Sequence, residues 1–266
     1  MEKISIIGFL LVILCLVTRD LACKEALLLF KNGLKDSSSN RISSWIGGNC
    51  CQWEEIGCEN NTGVIISINL HNPYSPEEAH ENWSSMNLSG EIRPSLIELK
   101  SLRSLDLSDN SFEHIPIPKL FGSLKNLQYL NLSNCGFKCL FVKDLEWMTN
   151  LVSLRHLKLN YVNLSMGGSH WMEVFNKLSF LTELHLQDCG LSGSISSLNS
   201  INFTSLSNKL YGHISPGLGE LPNLQHLYLS ENENLTGSCS HLLSGSWKKI
   251  EFLNLTYNKF LGTFFA

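Results

Sequence analysis

The chain has 266 residues, of which 43% are hydrophobic and 17% are charged, and its formal net charge is −4. This length and apolar content suffice for a sizeable core in one or two domains. The mildly acidic balance, without a basic run, offers no support for nucleic-acid binding.

The N-terminus has the layout of a secretory signal peptide. Ile4–Val17 is an almost unbroken apolar run after a short basic start, and it is too short for a comfortable membrane span. Ala22 is a plausible last residue before cleavage, so residues 1–22 are predicted to be a signal peptide. An uncleaved signal anchor is the alternative, and either predicts entry into the secretory pathway.

The next segment, residues 23–63, is predicted to be a cap that covers the first apolar layer of residues 64–266. Cys23–Leu34 has the composition of a helix, and Trp45 and Trp53 come after it. Four cysteines near the start of a secreted chain indicate two disulfides, and they are Cys23, Cys50, Cys51 and Cys58. Adjacent cysteines rarely pair with each other, which leaves two connectivities. Cys51–Cys58 with Cys23–Cys50 is the simpler one.

From residue 64 to residue 266 the chain is dominated by one repeated template, L-x-x-L-x-L-x-x-[N or C]-x-[L or F]. Copies that start at residues 102, 127, 154 and 181 are 25, 27 and 27 residues apart. The copies are Leu102–Phe112, Leu127–Phe137, Leu154–Leu164, Leu181–Leu191, Leu224–Leu235 and Ile250–Phe260, with Val64–Leu70 as a looser one. A fixed period in this range is typical of a leucine-rich-repeat solenoid, here with about seven or eight repeats.

The spacing of the template predicts how each repeat folds. In L-x-L the leucines alternate with polar residues, so Leu105 and Leu107 should point inward while Ser104, Asp106 and Ser108 point outward. Stacked repeats then bury a common leucine face. We therefore expect an α/β solenoid: a right-handed horseshoe with a parallel concave β-sheet and a disulfide-stapled helical N-terminal cap.

The ninth template position should be buried inside the turn at the end of each strand. Asn110, Asn232 and Asn258 occupy it, and a buried amide there can satisfy backbone groups that are costly to leave without partners. Cys135 and Cys189 occupy the same position, so we interpret them as small buried residues rather than as a metal or redox pair. Cys139 and Cys239 have no evident partners.

Several segments depart from the repeat. His71–Asn87 is predicted to be an inserted polar loop before an L-S-G turn, and Met166–Ser169 a turn that contains glycine. Val142–Met148 and Trp171–Leu178 are compatible with helices on the convex side. Leu206 to Leu224 spans only 18 residues, which predicts a missing strand or a kink near Leu206–Gly212.

The outward strand positions are the candidate ligand surface. Asn69 and Asn131 belong to its central column, and Arg103 to its flank. Polar and aromatic residues on a rigid sheet suit a peptide or protein ligand, and an ordinary solvated face is the alternative. The remaining candidates are Asp106, His156, Lys158, Glu183, His185, His226, Tyr228, Phe252 and Asn254.

Eight N-x-[S/T] sequons predict N-glycosylation in a secreted chain. They begin at Asn60, Asn82, Asn87, Asn131, Asn163, Asn202, Asn234 and Asn254. Asn131 and Asn254 lie within predicted strands on the concave face, where a glycan would obstruct ligand binding, so some sequons are expected to be unused.

No motif indicates catalysis, a cofactor or a metal. His156, His185 and His226 fall on one face but lack the tight spacing of metal ligands, and no nucleophile elbow, P-loop or zinc-protease motif occurs. We therefore expect a non-enzymatic protein without a cofactor.

The cap order C–E-A-L-L-L-F-K–S-S-W–C-C-x-W–C-x-x-x-T-G-V-I resembles the N-terminal cap of plant extracellular leucine-rich-repeat proteins. Asn87–Pro94 resembles the plant-type L-[ST]-G-x-I-P ending, which Leu191–Ile195, Leu210–Ile214 and Leu235–Gly237 echo. The phrases L-S-G-E-I-R-P-S-L-I-E-L-K-S-L and I-N-F-T-S-L-S are similar to receptor-like proteins of the ethylene-inducing-xylanase-receptor type.

The resemblance implies a cell-surface immune receptor without a kinase, which binds a microbial or apoplastic peptide or protein and signals through a partner receptor kinase. Family members carry more repeats and then a membrane span, so membrane attachment is expected only for a longer product. The alternatives are a secreted product, either an inhibitor of a microbial cell-wall-degrading enzyme, similar to the polygalacturonase-inhibiting proteins, or a nonfunctional truncated decoy. The expected location is the outer face of the plasma membrane or the apoplast.

Overall fold

The computed structural model describes residues 24–36, 40–74, 86–112, 115–135, 140–164, 174, 177–178, 180–189, 212–213, 225–228, 235–238, 251–254, 256–257 and 259–261. Residues 24–31 are helical, as the composition of this segment predicts. The predicted signal peptide, Cys23, Cys139, Cys239, Asn232, Asn258 and the turn at Met166–Ser169 lie outside the described residues.

The other described elements with defined bounds are short strands and 3-10 helices. The strands are β1 (Leu34–Asp36), β2 (Ile56–Cys58), β3 (Ile65–Asn69), β4 (Leu88–Gly90), β5 (Ser104–Asp106), β6 (Ser111–Phe112), β7 (Ile115–Pro116), β8 (Tyr129–Asn131), β9 (Leu140–Phe141), β10 (His156–Lys158), β11 (Glu183–His185), β12 (Gly212–His213), β13 (His226–Tyr228), β14 (Leu235–Ser238), β15 (Phe252–Asn254) and β16 (Lys259–Leu261).

One six-stranded sheet, in the order β11-β10-β8-β5-β3-β2, forms the concave side of the solenoid. Strands β3, β5, β8, β10 and β11 run parallel, and β2 from the cap pairs antiparallel with β3. Leu105 aligns with Leu130, Leu157 and Leu184 across the sheet, and all four are fully buried. The predicted inward leucine layer of a repeat solenoid is therefore confirmed. Further along the chain, β13 pairs in parallel with β15.

The L-[ST]-G motif forms strands, which corrects the prediction of a turn at this motif. Strand β4 pairs antiparallel with β1 and parallel with β6, and β14 pairs in parallel with β12 and β16. These strands build additional sheets away from the concave one. Leu88 is fully buried, and Gly90 has φ of +93°, so the glycine turns the chain out of the strand.

Replacing Gly90 with alanine is expected to lower the free energy of unfolding by about 2 kcal/mol. The backbone has a positive φ, and an added Cβ would collide with the carbonyl oxygen of Gly33. Gly48→Ala is the matched control, because a Cβ there meets no atom within 4 Å. Urea denaturation that gave equal stabilities for the two variants would contradict the close packing of β4 against the cap.

The convex side carries 3-10 helices at the same place in successive repeats. Each is followed by a leucine whose N–H bonds back to the helix, and the helices are Pro94–Glu98, Lys119–Ser123 and Glu146–Asn150. The predicted helix at Val142–Met148 is therefore shifted: β9 precedes it and the helical turns start at Glu146. Of the segment Trp171–Leu178, only residues 174, 177 and 178 are described, and Val174 is helical.

Asn110 is fully buried and joins three successive parts of the chain. Its Nδ2 donates to the carbonyl oxygens of Leu70 at 2.7 Å, Leu107 at 3.0 Å and Ser108 at 3.0 Å. Its Oδ1 accepts from the N–H of Leu88 at 3.0 Å and from Arg41 at 3.3 Å. The prediction that a buried amide satisfies backbone groups at the ninth template position is confirmed for this repeat.

The two cysteines at the ninth position are buried, as predicted. The Cys135 thiol donates to the carbonyl oxygen of Leu107, and the Cys189 thiol to that of Leu159, each at 3.1 Å. A thiol therefore takes over part of the role of the asparagine amide, with a short hydrogen bond to the preceding repeat.

Ser108 does not point outward as predicted, since it is 1% exposed. Its N–H donates to Asp106 Oδ1 at 3.0 Å, and its hydroxyl donates to the same oxygen at 2.6 Å. The chain has already left the strand at this position, because β5 ends at Asp106. Outward alternation therefore stops at Asp106, two residues earlier than the pattern predicts.

The cap packs through aromatic rings and one local disulfide. Trp45 stacks on Trp53 with ring centroids 5.7 Å apart, and both rings are buried. Cys51 and Cys58 form a disulfide with Cα atoms 5.6 Å apart, which is one of the two predicted bonds. Cys50 is buried, and its predicted bond to Cys23 stays a prediction because Cys23 lies outside the described residues.

Arg41 connects the cap to the first repeats. The side chain is 3% exposed; Nη2 donates to the carbonyl oxygen of His71 at 2.8 Å and to Glu55 at 3.2 Å, and Nη1 donates to the carbonyl oxygen of Met86 at 3.0 Å. His71 and Met86 lie near the two ends of the predicted insertion, most of which is outside the described residues. Burial raises the pKa of Glu55 despite the neighbouring guanidinium.

Candidate functional site

The structure aligns the central column of polar residues on the concave face. Asn69 pairs with Asp106, Asp106 with Asn131, Asn131 with Lys158, and Lys158 with His185, each on the adjacent strand. The leucines between these positions are buried, so the pleat directs this column to solvent. The predicted order of the column is confirmed across five strands.

A second column lies two residues earlier on the same strands. Ser104 pairs with Tyr129, Tyr129 with His156, and His156 with Glu183. The sequence pattern places Arg103 in this column, but Arg103 precedes β5 and lies one position before it, where its carbonyl oxygen accepts from the N–H groups of Gln128 and Tyr129. The pattern missed Tyr129, although this residue holds the same template position as His156.

Glu183 brings three basic side chains together at the end of the sheet. Its Oε2 lies 2.8 Å from His156 Nδ1, and its Oε1 lies 2.6 Å from His185 Nε2 and 3.1 Å from Lys158 Nζ. The hydrogen bonds from His156 and His185, helped by Lys158, hold the pKa of Glu183 far below its ordinary value. The carboxylate is therefore ionised throughout the physiological range.

Tyr129 links this cluster to the next polar group. Its hydroxyl donates to Asp106 Oδ2 at 2.9 Å, and its ring lies 6.0 Å from Lys158 Nζ and 6.1 Å from the His156 ring. Burial, reinforced by the Asp106 carboxylate, raises the pKa of Tyr129. The hydroxyl therefore stays a hydrogen-bond donor.

Asn131 is the last residue of β8 and has a structural role. Its Nδ2 donates to Asp106 Oδ2 at 3.1 Å, and its Oδ1 accepts from the N–H of Ser133 at 3.1 Å. Asn254 is likewise the last residue of β15, and its Oδ1 accepts from the N–H and hydroxyl of Thr256. The template predicts both asparagines within strands, and the structure puts them at strand ends, where the chain turns.

Four further candidates lie on β13 and β15. His226 pairs with Phe252, and Tyr228 pairs with Asn254, so the two template positions also align between these two strands, which form a sheet of their own. Phe252 is 44% exposed, which is unusual for a large apolar side chain on a strand. An exposed ring on a polar face is a frequent feature of protein interfaces.

The described part of the chain contains no group of three or more His, Cys, Asp or Glu side chains arranged as metal ligands. The basic groups of the concave cluster instead contact a carboxylate, and the carboxylate of Asp106 contacts hydroxyl and amide groups. This arrangement presents a fixed pattern of hydrogen-bonding groups and one exposed ring, which suits recognition. Within the same residues, no helix is long and apolar enough to cross a membrane.

Family models match three parts of the chain. A leucine-rich-repeat N-terminal domain matches residues 24–59, and leucine-rich repeats match residues 85–137 and 126–151. The first match covers the cap, and the other two cover the repeats that build β4 to β8 and the convex turns after them.

Curated relatives include plant receptor-like proteins. Receptor-like protein EIX1 of Solanum lycopersicum is 31% identical over 90% of this chain and 31% of its own length. Receptor-like protein EIX2 of the same plant is 44% identical over 43% of this chain and 11% of its own length. The chain therefore spans about a third or less of these relatives. The alignment with EIX1 is 327 residues long, so EIX1 has segments there that this 266-residue chain lacks.

Solved structures with the same fold include a plant receptor ectodomain and a pollen receptor kinase. The ectodomain of the Arabidopsis thaliana receptor kinase GASSHO1/SCHENGEN3 has a TM-score of 0.62 at 22% identity, over 90% of this chain and 30% of that one. A pollen receptor kinase has a TM-score of 0.55 at 23% identity, over 79% of this chain and 94% of that one. The chain thus folds as a leucine-rich-repeat solenoid, and its sequence is similar to the plant receptor-like proteins.

Proposed function

We propose that this chain is the ligand-binding part of a plant cell-surface receptor-like protein, located outside the cell. Its ligand is a peptide or protein that lies across the concave strands. The observation that carries the proposal is the pair of aligned columns on β5, β8, β10 and β11, whose polar side chains are fixed by one another. Preorganised polar groups on a rigid sheet lower the ordering cost of binding.

The relatives support this kind of partner. The GASSHO1/SCHENGEN3 ectodomain was solved in complex with CASPARIAN STRIP INTEGRITY FACTOR 2, and the EIX proteins are named receptor-like proteins. By resemblance to the receptor-like proteins, the receptor acts in defence, has no catalytic activity of its own and signals through a partner receptor kinase.

The test is direct binding of a purified fungal endo-xylanase to the secreted glycoprotein. Lys158→Glu reverses a charge at the centre of the concave face, and Lys119→Glu reverses one on the convex side. The two lysines are matched, since Lys158 contacts Glu183 at 3.1 Å and Lys119 contacts Asp144 at 2.8 Å. We expect Lys158→Glu to weaken binding by about thirtyfold and Lys119→Glu by less than about twofold. Equal loss in both variants would refute a concave site.

We further propose that the sequons are used selectively. Asn60 is exposed in a turn of the cap, whereas the Nδ2 atom of Asn131, to which a glycan would attach, donates to Asp106. Asn87, Asn163 and Asn254 are half-buried, and Asn82, Asn202 and Asn234 lie outside the described residues. A glycan on Asn131 would replace one of the two Nδ2 hydrogens beside the Asp106 carboxylate and cover the concave face.

The expected occupancy is therefore high at Asn60 and absent at Asn131 in the secreted protein. Mass spectrometry of glycopeptides measures both in one sample, and Asn60→Gln identifies the Asn60 glycan by its loss. An intact glycan on Asn131 in folded, secreted protein would contradict this selective use and would show that the concave face is obstructed.

A further inference from the structure

The cluster of His156, Lys158, Glu183 and His185 is a partly exposed group of titratable side chains on the concave face. Three basic groups converge on one carboxylate that is 28% exposed, and one of the rings, His156, is 40% exposed. Among the described residues, the surrounding strands contribute Tyr129 on β8 and Asp106 on β5 as further titratable or charged groups near the cluster.

Glu183 determines which nitrogen of each ring carries a proton. An ionised carboxylate can only accept hydrogen bonds, so the ring nitrogens that face it, Nδ1 of His156 and Nε2 of His185, must be the donors. A neutral imidazole has one N–H, and the opposite nitrogen of His156, Nε2, is then an acceptor. The neutral cluster therefore cannot donate from the outer edge of this ring.

Protonation changes both the charge and the hydrogen-bonding pattern. When both rings are neutral, the charges of Lys158 and Glu183 cancel. When both rings are protonated, the cluster has a net charge of two positive units. Nε2 of His156 then becomes a donor, while the Lys158 ammonium has donors beyond the one directed at Glu183. Imidazole is the side chain that ordinarily titrates between pH 5 and 8. The Asp106 carboxylate reduces the positive field but is already bonded to Tyr129, Asn131 and Ser108.

We propose that this cluster is a subsite for an anionic group of the ligand, such as a carboxylate. The subsite binds the anion more tightly when the pH falls, because protonation of the rings adds positive charge and hydrogen-bond donors. The inference rests on the proposed function, since it assigns one chemical group of the ligand to one place on the concave face. Glu183 holds the rings in position at neutral pH and remains ionised beside them when they are protonated. The incoming anion binds to His156 and Lys158 at the outer edge of the cluster.

Sulfate is the probe, because it keeps its charge at both pH values of the test. Histidine-selective ¹⁵N labelling of the full chain reports the ring nitrogens by NMR, with assignments from His156→Gln and His185→Gln. For neutral rings, the hydrogen bonds to Glu183 select the Nδ1–H form of His156 and the Nε2–H form of His185. At about pH 5, sulfate titrated at constant ionic strength should shift the His156 signals saturably, with about tenfold tighter binding than at pH 7.5.

Glu183→Gln separates this subsite from a structural role. Loss of the carboxylate removes the competing negative charge, so sulfate should bind more tightly than to wild type at both pH values, whereas simple disruption of the cluster would weaken binding. Lys158→Gln should weaken it. The proposal is overturned if His156 has the Nε2–H form at neutral pH, if the sulfate shifts do not saturate or do not depend on pH, or if Glu183→Gln weakens binding. These results do not depend on whether a protein ligand is found.

Discussion

Asn110→Leu is expected to lower the free energy of unfolding by about 3–5 kcal/mol, although leucine has nearly the same size. The change removes the donor to three backbone carbonyls and the acceptor for the Leu88 N–H. It also takes a partner from the buried Arg41 guanidinium. Buried polar groups that lose their partners keep their desolvation cost, so the loss exceeds that of an ordinary surface hydrogen bond.

The control is Asn126→Ala. Asn126 is exposed and its Nδ2 donates one hydrogen bond, to the carbonyl oxygen of Lys100 at 2.9 Å. We expect a loss of less than about 1 kcal/mol there. Urea denaturation monitored by circular dichroism compares the two variants. If Asn110→Leu were as stable as Asn126→Ala, the buried amide would not be what joins neighbouring repeats.

Trp53→Ala is expected to lower the free energy of unfolding by about 3–5 kcal/mol. The ring is 3% exposed, stacks on Trp45, and donates from Nε1 to the carbonyl oxygen of Ile46 at 2.6 Å. Alanine leaves a cavity in the cap and loses this hydrogen bond. Since the cap covers the first layer of the solenoid through β2, its loosening should also expose the buried isoleucines of β3.

Trp53→Phe separates the contribution of the indole hydrogen bond from that of the ring, and Phe180→Ala is the control for an exposed ring. Trp53→Phe keeps an aromatic ring and loses the indole N–H, so we expect about 1–2 kcal/mol. Phe180→Ala removes a ring that is 56% exposed and lies 5.9 Å from Arg155, and should cost less than about 1 kcal/mol. Circular dichroism is the appropriate signal, because fluorescence changes when a tryptophan is removed. A loss for Trp53→Ala no larger than for Phe180→Ala would contradict the packing of the cap.

The repeat template predicted the parts of the fold that depend on local alternation. Leu105 and its equivalents on neighbouring strands lie where L-x-L placed them, because an inward leucine every second residue permits only one register. Asn110 and Cys135 were predicted correctly for the same reason, since the ninth position always lies the same number of residues after the strand. The disulfide Cys51–Cys58 could be predicted from the short loop between the two residues and the presence of four cysteines.

Features that depend on contacts between residues distant in sequence could not be predicted from the repeat template. The L-S-G segment looked like a turn, because its partner strand β1 lies more than fifty residues earlier in the cap and gives no local signal. Ser108 fits the outward alternation in sequence, but the turn after β5 buries it against Asp106.

The same limit applies to the candidate site. Each residue of the Glu183 cluster could be placed on the concave face from its template position. Which of them touch depends on side-chain length and rotamer across β8, β10 and β11, and the link from Tyr129 to Asp106 was therefore missed. The predicted break at Leu206–Gly212 stays a prediction, since of that segment the structure describes only Gly212, at the start of β12.

The most direct test of a concave ligand site is photo-crosslinking to the same endo-xylanase. Benzoylphenylalanine replaces Phe252, which is exposed on β15, or Leu120, which is exposed on a convex 3-10 helix. Both sites accept a large apolar side chain without disturbing the core. We predict a crosslinked product from position 252 and none from position 120. A product from position 120 alone, or from neither position, would contradict the proposed ligand surface.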